Sequence, residues 1–99
     1  MNESTQVILQ EIKQQGWYLP SLTLAEGGHA ALRKFASNWK HYELTIWDGS
    51  LESSGLIAKD DSIAIAYFHE HFNLTDDLEY EIQERKVQYR LVEHGVTHD

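Results

Sequence analysis

The sequence predicts a small α+β domain, with three to four helices packed on a short antiparallel sheet centred on residues 41–48. Three observations lead there. The 99 residues, 41% hydrophobic and 11% aromatic, suffice for one core, so residues 1–99 read as a single domain. Apolar side chains recur at helical spacing in two stretches, Ile8 with Ile12, and Leu32 with Phe35, Ala36 and Trp39. Between His41 and Trp47 the pattern changes to strict alternation, the signature of a half-buried strand.

Taken in chain order, Asn2 or Ser4 can cap a first helix that runs to about Gln15, with Val7, Ile8, Leu9 and Ile12 as its apolar set and Gly16 as its stop. Trp17 to Leu24 reads as extended, since Pro20 disfavours helix at Leu19 and confines any strand to an edge or an end. Gly27-Gly28 breaks the chain before a second helix from His29 to Trp39. The strand His41–Trp47 sets Tyr42, Leu44 and Ile46 against Glu43, Thr45 and Trp47, and Asp48-Gly49 signals a turn. Leu51 to Gly55 reads as a polar loop, with Leu56-Ile57-Ala58 returning as a short hairpin strand. Asp60-Asp61-Ser62 can cap a third helix through Phe72, which Asn73 can end in a left-handed conformation.

The C-terminal segment supports two readings. Leu78, Tyr80 and Ile82, then Val87, Tyr89 and Leu91, alternate as in a β-hairpin, yet Gln83-Glu84-Arg85-Lys86 between them lacks a turn residue. A start signal at Thr75-Asp76-Asp77, acids before bases, and Gly95 after His94 favour a fourth helix over residues 76 to 94.

The formal net charge is −8 and is unevenly spread: residues 41–84 hold eleven acids against one base, Lys59. A one-sided negative field repels phosphate and anionic lipid and speeds association with basic surfaces. With no cysteine, disulfides, thiolate metal sites and cysteine nucleophiles are excluded. Met1–Thr5 shows neither a positive nor an apolar leader region, and no apolar run is long enough to span a bilayer, so a cytoplasmic protein is expected.

Few motifs carry chemistry. His69-Glu70-His71 has metal-ligand spacing only on a strand, because on a helix the two imidazoles point apart. His94 and His98 are separated by the Gly95 stop. Gly27-Gly28-His29 matches neither a dinucleotide-binding nor a P-loop pattern, and Ser53-Ser54-Gly55 lacks the context of a nucleophile elbow. Asp76, Asp77, Glu79 and Glu81 read as a solvated acidic face rather than as an acid–base pair, which needs a carboxyl raised by burial. Trp47 stands apart from the other tryptophans because it falls on the polar side of its strand.

The expectation is therefore a non-enzymatic, acidic protein-binding module of inhibitor or immunity type. It engages a basic partner protein, a nucleic-acid-binding one among the candidates, and contacts neither nucleic acid nor membrane directly, with no cofactor and no metal. The binding residues expected are Asp48, Glu52, Asp60, Asp61, Asp76, Asp77, Glu79, Glu81 and Glu84, with Trp47 as apolar anchor. In size and charge the chain is similar to small inhibitors of phage or plasmid origin, including anti-CRISPR and anti-restriction proteins, and to bacterial immunity proteins; the likeness is of composition and no motif carries it. Two alternatives are a small metal- or ligand-binding domain using His69 and His71, and an obligate homo-oligomer that pairs its aromatic faces.

Overall fold

The computed structural model describes residues 3–47 and 51–96. Its elements are α1 (Glu3–Gln15), β1 (Trp17–Tyr18), α2 (Gly28–Phe35), β2 (Lys40–Trp47), β3 (Leu51–Ala58), α3 (Asp61–His71), β4 (Tyr80–Glu84) and β5 (Arg90–His94). The five strands form one antiparallel sheet in the order β1-β3-β2-β4-β5, and among the described residues there are three helices. The outline is elongated, 51 × 26 × 21 Å. Among the described residues, no helix is long and apolar enough to cross a membrane.

The alternation in β2 sets the architecture. Tyr42, Leu44 and Ile46 are buried on the face that α3 covers, joined by Leu56 and Ala58 from β3 and by Tyr80 and Ile82 from β4. Ala64, Tyr67 and Phe68 lie one helical turn apart on α3 and close this core. Asp60 starts α3 as expected, its carboxylate accepting the Ile63 N–H at 3.0 Å. A second, smaller core forms where α1 meets α2: Leu9 and Ile12 pack with Leu32 and Ala36, and Tyr18, Phe35 and Trp39 flank them. Between the two cores, Gly16 takes φ 84°, and an added Cβ would stand 2.6 Å from Ile63 Cδ1, so only glycine fits this corner.

Several expectations are corrected. The helix over residues 76 to 94 is instead the β4–β5 hairpin. A helix would place Tyr80 and Ile82, two residues apart, on different faces, whereas a strand puts both against Ile46 and Leu44. The connection over residues 85–89 turns without any non-glycine residue at positive φ, so the missing glycine was no obstacle. Leu51–Gly55 is strand, not loop, since all of β3 pairs with β2 from Trp47↔Leu51 to Lys40↔Ala58. The second helix stops at Phe35 rather than Trp39. Helix α3 ends in an extended residue, Phe72, at φ −130° and not in a left-handed Asn73. The Asp48-Gly49 turn signal lies outside the described residues.

Candidate functional site: the acidic end of the sheet

Because side chains alternate along β2, the face opposite α3 receives Glu43, Thr45 and Trp47. Register then fixes the rows across this open face. Thr45 lies between Ser53 and Glu81, with His94 beyond Glu81, and Trp47 lies beside Leu51. The Trp47 N–H donates to the Glu79 carbonyl at 3.1 Å, which continues the β2–β4 register by one residue and seats Glu79 on the other side of the indole. Trp47 is 43% exposed and Leu51 68%, a pair of large apolar side chains turned to water at the end of the sheet.

The charged residues divide between the two ends of the strands. Lys40 opens β2, Lys59 follows β3, Arg85 and Lys86 lie in the β4–β5 connection and Arg90 opens β5, all at the end of the sheet next to α3's N-terminus. The remaining cations, Lys13, Arg33 and Lys34, are on α1 and α2. No Lys or Arg is left for the opposite end: there Glu79 and Glu81 share the open face with Trp47 and Leu51, Glu52, opposite Ile46, lies on the face that α3 covers, and Asp76 and Asp77 precede β4. The two ends are about 13 Å apart along β2 from Tyr42 to Ile46, at about 3.3 Å per residue.

The expected binding residues therefore separate into two groups. Trp47, Glu52, Asp76, Asp77, Glu79 and Glu81 gather at one end; Asp48 lies outside the described residues. Asp60, Asp61 and Glu84 sit at the other end with structural partners. Asp60 caps α3, and the Ile63 N–H and Ser62 hydroxyl hold its carboxyl below the ordinary value. Asp61 accepts from Arg90 Nη2 at 2.7 Å and from the Tyr42 hydroxyl at 2.6 Å; both, Arg90 foremost, keep it ionised to lower pH. Glu84 is only 4% exposed and is held by Arg90 Nε at 2.8 Å and Lys86 Nζ at 3.5 Å. A carboxylate so enclosed is already neutralised.

The histidines diverge as a helix requires. His69 Nε2 meets the Glu93 carboxylate at 2.5 Å, and the same oxygen accepts from the Tyr80 hydroxyl at 2.8 Å. Burial and then this bond push the Tyr80 phenol up to about 12. His71 stacks on Tyr67 at 4.2 Å and meets Trp17 edge-on at 5.9 Å. Among the described residues, no three His, Cys, Asp or Glu side chains are grouped to hold a metal ion. His98 lies outside the described residues.

Sequence reasoning missed Leu51, whose strand it read as loop; the signal available was its position four residues after Trp47 in sequence, with the Asp48-Gly49 dipeptide between them. It also missed that Glu43 is satisfied on the open face, by the Tyr89 hydroxyl and by Arg85 at 3.7 Å. Comparison with known proteins finds no family model, no curated protein and no solved structure that matches this chain.

Proposed function

We infer that the chain is a protein-binding module that docks a basic protein surface through the acidic end of its sheet. The observation that carries this reading is the coincidence of two exposed apolar side chains, Trp47 and Leu51, with an end of the molecule that holds only acids among its Lys, Arg, Asp and Glu residues. An apolar centre within a charged rim is the usual anatomy of a protein interface, and tryptophan is a frequent energetic anchor. The rim repels phosphate backbones and anionic lipid, so the partner is a basic protein. Where that partner itself binds nucleic acid, the carboxylates of Asp76, Asp77, Glu79 and Glu81 would occupy the places of phosphates, an inhibitor's mode of action.

The test is affinity capture from host lysate at low and high salt with the wild-type chain and three variants. A basic protein retained by the wild type and by Lys34→Glu at the far end, but lost with Trp47→Ala and with Glu79→Lys/Glu81→Lys, is the expected result. Equal retention by all four, or no retained protein at either salt, overturns the reading.

A further inference from the structure

On the face that α3 covers, the helix does not reach the end of the sheet. It stops at His71, and Phe72 leaves in an extended conformation. Beyond it, β2 and β3 leave an open cavity of about 350 Å³ lined by Leu44, Ile46, Glu52, Ser53, Ser54 and Phe72. The register makes this cavity two-sided. Leu44 is paired with Ser54 and Ile46 with Glu52, so one strand supplies the apolar wall and the other a hydroxyl and a carboxylate. Its volume is at the small end of the range for ligand sites, about 300–1,000 Å³, which suits one long side chain rather than a nucleotide or a cofactor.

We propose that this cavity receives an arginine side chain of the basic partner; the assignment rests on the docking reading above and names the chemistry it selects. An aliphatic stem lies along Leu44, Ile46 and Phe72, and the guanidinium reaches the Glu52 carboxylate with the Ser54 hydroxyl beside it. An anion is repelled here, because the surrounding end of the molecule contains no Lys or Arg. A purely apolar group would cover Glu52 without giving it a partner. Arginine is favoured over lysine because its planar head forms two parallel bonds to one carboxylate, sheds water more readily than an ammonium, and can stack on the Phe72 ring.

The experiment uses the full chain, isotopically labelled for NMR, titrated with n-butylguanidinium, n-butylammonium and n-butanol at constant ionic strength. Saturable shifts at the amides of Leu44, Ser53, Ser54 and Phe72 are expected with n-butylguanidinium in the millimolar range, weaker with n-butylammonium and absent with n-butanol. Glu52→Gln, at an exposed position, weakens binding by about fivefold, in keeping with a partly exposed ion pair. Ser54→Leu fills the cavity and abolishes it, while the rest of the spectrum verifies the fold of both variants. Absence of saturable shifts, or equal affinity in Glu52→Gln, overturns the assignment. The probe needs no partner protein, so the two readings fail separately: binding here without a captured basic partner sinks the docking reading alone, and a captured partner without binding here sinks the cavity alone.

Discussion

Arg90 holds two carboxylates at once, Asp61 from α3 and Glu84 from β4, and so ties the β5 edge strand to the helix across the sheet. Glu84 continues the buried phase of Tyr80 and Ile82, which an isolated carboxylate could not do without a cation beside it. Arg90→Met should therefore lower the melting temperature more than Tyr42→Phe, which removes one hydrogen bond to Asp61 and costs about 1–2 kcal/mol, or roughly 5–10 °C in a domain of this size. The comparison is made by thermal unfolding at neutral pH. The same contacts predict an acid response. Because Asp61 is held below its ordinary value, its contribution is complete above about pH 4, the unfolded carboxylate value, and is lost as pH falls through the lower folded value. Denaturant titrations from pH 6 down to 2 should show the wild type losing more stability than Asp61→Asn. The acids themselves were legible in the sequence; which of them are tied to Arg90 was not, since Arg90 lies 29 residues from Asp61 and only folding brings them together.

At the level of elements, the strands and helices with one strong pattern were readable. β2 follows from its alternation, α3 from Asp60 and its apolar run, α1 and α2 from helical stripes. The C-terminal hairpin was ambiguous because its two halves are not in the phase the sequence suggests. Tyr80 and Ile82 do face the core, but Val87, Tyr89 and Leu91 are exposed, and a register shift between Ile82 and Gln83 turns Arg90 and Glu93 toward the helix side instead. β3 was hidden by its serines, which follow the ladder imposed by β2 rather than a strand preference of their own. The element that locks this arrangement is α3. Phe68 is fully buried against the sheet, and Phe68→Ala should cost about 3–5 kcal/mol, measured by chemical denaturation. Gly95 marks the end of the hairpin: a Cβ there would run into the Leu78 carbonyl and the Tyr80 ring, while its N–H donates to the Tyr80 carbonyl at 2.8 Å. Gly95→Ala should destabilise the protein and shift the NMR resonances of Leu78 and Tyr80 first.

Across the whole molecule, the imbalance seen along the sequence becomes a gradient along the strands, with cations on the helical pair and at the end of the sheet next to α3's N-terminus and no Lys or Arg at the opposite end. The two ends, about 13 Å apart along β2 at about 3.3 Å per residue, are separated by more than the Debye length of about 8 Å at physiological ionic strength, so a partner senses the nearer end first. Stopped-flow association with the captured partner should slow by on the order of tenfold in Glu79→Lys/Glu81→Lys at low salt, and converge with the wild type as salt is raised. Net charge was plain from composition, but which carboxylates share a surface depends on strand register, which composition does not encode.

Among the described residues the two cores meet at a seam built on β1, where Trp17 also packs on Tyr67 of α3 at 4.5 Å. β1 pairs with β3 through two residues, and the Lys59 N–H donates to the Gly16 carbonyl at 2.8 Å beside it. So slender a joint lets the helical pair open by itself while the sheet stays closed, and native-state hydrogen exchange should report a lower opening free energy for amides of α1 than for those of β2. The candidate surface around Trp47 lies at the end of the sheet farthest from that seam. It would keep its shape through breathing motions of α1 and α2, and a label, tether or fusion placed on those helices would leave it unperturbed.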